Sequence, residues 1–441
     1  MSTQNGSPSD TPRTSREAVG HVMTPAEKRV QMYLAGAYAA AIILGVANGL
    51  WGTELLQHGA NVVSTVFIRL FKFIAIPIIA VSIISTLATI SQSSESGKIF
   101  RHTIFYTLLT TILAATLAAV LYSVLAPANV EVTTTAASLE AVAPKQSYGD
   151  YMLTIVPDNF LAPFLSANVL SVLLISAAVG LAIAKLPRGS YPQQVLMAFF
   201  SGLQSVLFTI VGWIIKALPI GLFGFFSVLT VELQSGVALG GLGTYFATVL
   251  SANFIQMLVV LPLVLMLRGL NPLRVAKAML PALTVAFFSK SSAGTLPVTM
   301  ACSERLGVRK PVSRFVLPIC TTINMNGCAA FILITVVYLM QNAGADITAG
   351  TLAFWIIIST IAAVGNAGVP MGCFFLSASL LASMNVPILL MGIILPFYAV
   401  IDAIETTLNV WSDSTVAAMV NRDIYDDKLD GRPQPEIEPA R

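Results

Sequence analysis

Long apolar runs dominate this chain and limit what it can fold into. They lie near Met32–Trp51, Val62–Leu87, Ile104–Leu125, Phe164–Leu186, Val195–Val231 and Tyr245–Leu267. About 20 residues at a rise of roughly 1.5 Å each cross a lipid core, so each run is long enough to span. Backbone N–H and C=O groups find no water there and must pair within the chain, which leaves helices as the economical solution for such runs. Apolar residues make up 56% of the sequence and charged residues 10%, which excludes an ordinary soluble domain and gives no reason to expect a nucleic-acid partner. The expected class is an all-α polytopic membrane protein.

Lys and Arg mark the sides. Clusters fall at Arg13/Arg16/Lys28/Arg29, Lys98/Arg101, Lys185/Arg188, Arg268/Arg274/Lys277, Arg305/Arg309/Lys310/Arg314 and Arg422/Lys428/Arg432. Neither Lys216–Arg268 nor Arg314–Arg422 holds another Lys or Arg in its interior, as expected for stretches that span and turn outside. Both termini are therefore expected on the cytoplasmic side of the plasma (inner) membrane. Residues 1–28 are rich in Ser, Thr and Pro and read as a disordered tail without a secretory core. Asn129–Pro157 reads as an outer loop. Arg69 and Lys72 sit inside the second run and are accommodated by snorkelling or protein contacts. Cys302, Cys320, Cys328 and Cys373 lie in apolar segments without zinc spacing and are expected as buried small hydrophobes without disulfides. His21, His58 and His102 are scattered and suggest no metal or catalytic centre.

The last third is organised differently. Pro272–Leu306 and Thr351–Met384 are apolar stretches interrupted by polar tips, Ser289–Thr295 and Gly365–Gly372. Each reads as a re-entrant hairpin, because irregular backbone at membrane depth survives only inside protein or along a cavity. Pro311–Leu339, broken by Asn324-Met325-Asn326-Gly327, follows the first hairpin, and Ile388–Val420 follows the second. Hairpin then helix, twice, with tips entering from opposite sides, predicts an inverted repeat with a site near the midplane, the architecture of secondary transporters.

The chemistry concentrates on the last segment. Asp402, Glu405/Thr406, Asn409 and Asp413 recur at intervals that place them on one helix face. An ionisable residue at that depth costs roughly 2.5 to 3.5 kcal/mol and usually faces an ion or substrate path. The tip at Ser291–Gly294, with a helix restarting near Thr295, offers backbone N–H groups suited to a carboxylate, against the alternative of a plain Gly/Ser turn. The break at Asn324–Gly327 frees carbonyl oxygens of the kind hard cations bind, against a simple kink at Gly327. The acids could alternatively pair structurally with Lys290 or Arg69.

Ser291–Met300 (SSAGTLPVTM), Leu317–Gly327 (LPICTTINMNG), Ala367–Pro370 (AGVP), Asp402–Thr415 (DAIETTLNVWSDST) and Phe67–Thr86 resemble the dicarboxylate/amino acid:cation symporter family, which includes the glutamate transporters. The resemblance covers nearly all of residues 30–422. It implies eight transmembrane helices plus two re-entrant hairpins in a homotrimer that works as an elevator. Residues 29–270 would supply six spans, with spans 1, 2, 4 and 5 as scaffold. Spans 3 and 6 would join the transport core of residues 271–421, made of both hairpins and two broken helices, with 422–441 a cytoplasmic tail. The implied substrate-binding residues are Ser292, Cys328, Val369, Gly372, Asp402, Glu405, Thr406 and Asn409, with Asp402 on the amine. Asn324, Asn409 and Asp413 would hold one Na⁺, and the carbonyls of Thr322, Ala363, Val364 and Asn366 a second.

Two departures refine this. Glu405 stands where glutamate transporters have Arg, and Cys328 where they have Thr. Two carboxylates at one end of a pocket repel, so acidic substrates are disfavoured. The Glu-Thr…Asn pattern is similar to the bacterial sodium/serine-threonine branch, although Lys290 and Gly294-Thr295-Leu296 differ from it. The second departure is Asn326, in place of an Asp at a further Na⁺ site, so that site, with Tyr106, Thr110 and Thr111, is expected to be weak. The resulting expectation is Na⁺-coupled import of neutral amino acids, serine or threonine first. Basic or other polar substrates, proton coupling through Glu405, and an ion channel are alternatives. No nucleophile–base pair supports an intramembrane enzyme.

Overall fold

The computed structural model describes residues 25–90, 97–130, 156–165, 169–187, 189–234, 240–366, 371–384, 386–387, 389–425 and 429. The expected N-terminal tail (up to residue 24), most of the outer loop (131–155) and the tip residues 367–370, with Val369, lie outside them.

The described chain is helical. The first helices are α1 (Pro25–Trp51), α2 (Glu54–Ile90), α3 (Gly97–Leu125), α4 (Val169–Lys185) and α5 (Tyr191–Gln234). Next, α6 (Gly240–Ile255) continues through a π-helical turn at Gln256–Val260 into α7 (Leu261–Leu267). By length and composition, Gly97–Leu125, Tyr191–Ile214, Gly241–Leu267 and Lys310–Asn342 are candidate membrane spans, joined by shorter apolar helices such as Ser171–Lys185 and Ala349–Val364. α1, α2, α4 and α5 pack mainly on one another, while α3 and α6 pack with the C-terminal helices.

The first interrupted stretch forms α8 (Pro272–Ser289) and α9 (Ser292–Leu306), which pack side by side. Asn271 caps α8 by accepting the N–H groups of Leu273 and Arg274. At the tip Lys290 takes a left-handed conformation (φ 53°), and the Ser291 side chain accepts the Gly294 N–H, so α9 restarts at Ser292 rather than near Thr295.

The next span is broken as expected. α10 (Lys310–Ile323) stops at Asn324 (ψ 68°) and α11 (Asn326–Asn342) begins after Met325 (ψ 70°). α11 is enclosed on all sides, with buried residues on every face from Asn326 to Leu339. α12 (Ala349–Val364) and α13 (Gly372–Ser383) both lie against it, and a Thr348/Thr351 capping box starts α12.

α14 (Leu389–Tyr425) corrects one expectation: the last span is a single continuous helix, not a broken one, and it runs on to Tyr425 beyond the expected start of the tail. Its 37 residues contain no glycine after Gly392 and no proline after Pro396 to interrupt it.

Candidate functional site

α11, α13, α14 and the start of α9 converge around one small cavity, lined by Ser292, Met325, Cys328, Asn366, Cys373, Asp402, Glu405, Thr406 and Asn409. Six of the expected substrate-binding residues thus meet: Ser292, Cys328, Asp402, Glu405, Thr406 and Asn409. Gly372 lines an adjoining cavity with Asn366, Ile78, Ile79 and Ser82, which brings α2 against the back of α13. The main cavity measures about 10 Å³, room for about one water-sized sphere.

Close approach of backbones makes the convergence possible. A methyl group on Gly327 would stand 2.9 Å from both Cα and Cβ of Glu405 and 3.0 Å from Asn253 Oδ1, so only glycine lets the first turn of α11 lie on α14. The Gly327 N–H, exposed by the break at Asn324–Met325, donates to Asn409 Oδ1 at 2.9 Å.

The carboxylates of α14 are buried and incompletely partnered. Asp402 Oδ1 accepts the Met371 N–H at 3.3 Å, and Met371 holds a left-handed conformation (φ 62°) as it presents that group. Glu405 Oε2 accepts the Tyr398 hydroxyl at 3.0 Å. Asp402 Oδ2 and Glu405 Oε1 have no hydrogen-bond partner among the described residues. Two unpartnered carboxylate oxygens beside one cavity call for donors from a ligand, because a buried polar atom left alone costs about 1 to 3 kcal/mol. The Thr406 hydroxyl donates to Asp402 O along its own helix.

One expectation fails here. Cys328 and Cys373 are joined as a disulfide, with Cα atoms 5.3 Å apart across 45 residues of sequence. Their positions in apolar segments gave no sign of pairing, because the pairing follows from the first turns of α11 and α13 meeting. Asn366 Nδ2 donates to both sulfurs, at 2.9 and 3.3 Å. Cys302 and Cys320 are buried and free, as expected.

The other face of the break carries a second polar cluster. Asn324 Nδ2 donates to Asp413 Oδ1 and Ser412 Oγ, both at 3.0 Å, while Asp413 Oδ2 has no partner among the described residues and Asp413 is fully buried. Asp413 and Asn324 are therefore together, with Asn409 one turn away on α14, and the orphaned oxygen fits a monovalent cation. Asn326 Nδ2 donates to Asn324 Oδ1 (3.0 Å) and Ser412 Oγ (2.8 Å), and Thr110 Oγ1 donates to Asn324 Oδ1 (3.1 Å). Gln256 completes this group, donating to Asn326 Oδ1 (2.9 Å) and Thr110 O (3.1 Å). Thr111 bonds within its own helix to Thr107 O, and the Tyr106 hydroxyl donates to Asp423 Oδ2 at 2.5 Å, beside Arg268, so neither hydroxyl joins the Asn326 cluster. At the end of α12, Ala363 O accepts the Asn366 N–H; Ala363 and Asn366 are buried, Val364 and Thr322 half-buried.

Sequence reasoning missed Tyr398, Gln256, Ser412 and Cys373. Tyr398 lies seven residues before Glu405, on the same helix face, and that periodicity was a usable signal. Gln256 carried none, since its inward aim depends on the π-helical turn it opens.

The sodium:dicarboxylate symporter family profile matches residues 34–423. Among similar proteins, the neutral amino acid transporter B(0) of Oryctolagus cuniculus is 29% identical over 99% of this chain and 89% of its own length. The human neutral amino acid transporter B(0) is 28% identical over 90% of this chain and 81% of its own. The proton/sodium-glutamate symport protein of Bacillus subtilis (strain 168) is 25% identical over 90% and 94%.

Proposed function

Because this chain belongs to the sodium:dicarboxylate symporter family, and is thus a membrane transporter of amino acids and not an enzyme, we propose that it imports neutral amino acids with Na⁺, serine and threonine first. The observation that carries the choice of substrate is Glu405. One of its oxygens is held by Tyr398 and the other has no partner among the described residues at the cavity wall, near Asp402 on the same helix face. A zwitterion with a hydroxyl side chain supplies what both acids lack: its ammonium donates to Asp402 and its hydroxyl to Glu405. An acidic side chain would meet a carboxylate instead. Two of the similar proteins cited above are neutral amino acid transporters, which agrees with this reading.

In this proposal Na⁺ binds beside Asp413, with Asn324 and Asn409, and again at the carbonyls of Thr322, Ala363, Val364 and Asn366. The third position is weak: the amide donors of Asn326 and Gln256 point into the Thr110 cluster, where a cation would need oxygens. Helices α1, α2, α4 and α5 act as the scaffold of a homotrimer in the plasma membrane. The remaining helices move as an elevator, and both termini lie in the cytoplasm. The test is uptake of labelled serine into proteoliposomes with and without an inward Na⁺ gradient, with threonine, lysine and aspartate as competitors. Accumulation that needs Na⁺ and yields to threonine but not aspartate supports the proposal. Uptake indifferent to Na⁺, or competition by lysine or aspartate alone, refutes it.

A further inference from the structure

We propose that Cys328 and Cys373 form a thiol–disulfide switch that locks the candidate pocket when oxidised and frees it when reduced. The inference rests on the transport reading for its consequence, but not for its chemistry. Cys328 stands in the first turn of α11 and Cys373 is the second residue of α13; both are buried and both line the cavity. Their Cα separation of 5.3 Å lies within the range a disulfide bridges without backbone movement.

The bond crosses the space a substrate must enter. The cavity of about 10 Å³ has no room for an amino acid, so α11 and α13 have to separate at this point to admit one. A covalent bond between their first turns forbids that separation. Reduced, the same two helices are held here by side-chain contacts and by the weak Asn366–sulfur hydrogen bonds, which can break and re-form in each cycle.

The oxidant is a small disulfide, RSSR. One cysteine thiolate attacks RSSR and expels RS⁻, leaving a mixed disulfide; the second cysteine attacks its own neighbour's sulfur and expels the second RS⁻. The two thiol protons pass to the two leaving thiolates, so two protein thiols and RSSR become one protein disulfide and two RSH. Two small thiols reverse the exchange. Because both sulfurs are buried, RSSR reaches them only while the pocket is open, so the lock is set on a working transporter and catches it closed. Cys302 lies in α9 and Cys320 in α10, both free, and neither lines the cavity. They serve as internal controls.

The experiment uses the full chain in liposomes, one half reduced with a phosphine and the other treated with oxidised glutathione. Mass spectrometry after alkylation looks for a linked peptide pair carrying Cys328 and Cys373, hydrogen exchange follows residues 372–383, and labelled serine reports uptake. Oxidation is expected to produce the linked pair and slow exchange in α13. Uptake should fall in proportion to the linked fraction and return on reduction, and the oxidant should have no effect on Cys373→Ser. Absence of the linked pair from oxidised wild type overturns the proposal, as does a linked pair with exchange and uptake unchanged. Should reduced protein carry no serine at all, the substrate reading fails, while linkage and exchange still decide the switch.

Discussion

Replacing Glu405 by Gln tests the pocket chemistry most directly, provided the readout is the ratio of serine to alanine. Glu405 is 1% exposed, so nothing it loses is returned by bulk water. Oε2 keeps its bond from Tyr398 in either form, and the change acts on the unpartnered Oε1. Serine offers Oε1 a hydroxyl donor and alanine does not. A hydrogen bond to a charged group contributes roughly 1.5 to 3 kcal/mol, which is about 10- to 150-fold in apparent affinity. An amide leaves a neutral bond of about 0.5 to 1.5 kcal/mol, so the preference for serine should fall to about tenfold or less. Competitive inhibition of labelled serine uptake by both amino acids in proteoliposomes measures the ratio in each protein, and because both ligands see the same protein, losses in folding or expression cancel. A serine/alanine ratio equal in wild type and Glu405→Gln would refute the assignment of Glu405 to the side-chain hydroxyl. Glu405→Arg then supplies the opposite charge: aspartate should gain as a competitor while serine loses.

Asp413→Asn removes the charge from a fully buried carboxylate with a free oxygen, so it should raise the Na⁺ concentration needed for half-maximal uptake far more than it changes serine affinity at saturating Na⁺. Asn326→Asp puts a carboxylate among Thr110, Asn324, Ser412 and Gln256, and the Hill coefficient for Na⁺ in uptake is expected to increase, since the cluster gains a cation ligand. Gly327→Ala places a methyl group 2.9 Å from the backbone of Glu405; overpacking of this kind costs about 1 to 3 kcal/mol and should lower the thermal midpoint of the detergent-solubilised protein.

The helices were legible where periodicity and interruption carry physical meaning. The interrupted stretch Pro272–Leu306 is divided at Ser289–Ser292, as its Ser/Gly tip implied, and the break at Asn324–Met325 follows from polar residues that an apolar span has no other reason to hold. The face Asp402, Glu405, Thr406, Asn409, Asp413 was readable because an α-helix repeats its face every three to four residues. What stayed hidden depends on how helices lie on one another. No spacing relates Cys328 to Cys373, and their pairing exists only because α11 receives α13 on its first turn. Gln256 could not be placed, because a π-helical turn changes the direction of the side chains it contains. A break in the last helix is implied by the family resemblance alone, whereas α14 has no glycine after Gly392 and no proline after Pro396 to cause one.

The break between α10 and α11 also explains how a cation and a substrate could favour each other under the proposed function. Asn324, at the end of α10, donates to Asp413 on the cation side; three residues on, the Gly327 N–H donates to Asn409, whose neighbours line the substrate cavity. A cation that draws Asn324 and Asp413 together therefore also fixes the start of α11, and with it Met325, Cys328 and the wall facing Asp402 and Glu405. Ordering of that wall by the cation lowers the ordering cost left for the substrate, and linkage requires the converse: serine must raise Na⁺ affinity by the same factor by which Na⁺ raises serine affinity. Both affinities can be measured by titration calorimetry of the reduced protein, each at zero and saturating concentration of the other ligand. Coupling carried by this break should shrink in Asn324→Ala in both directions equally, and full coupling retained in that variant would assign the transmission to another path.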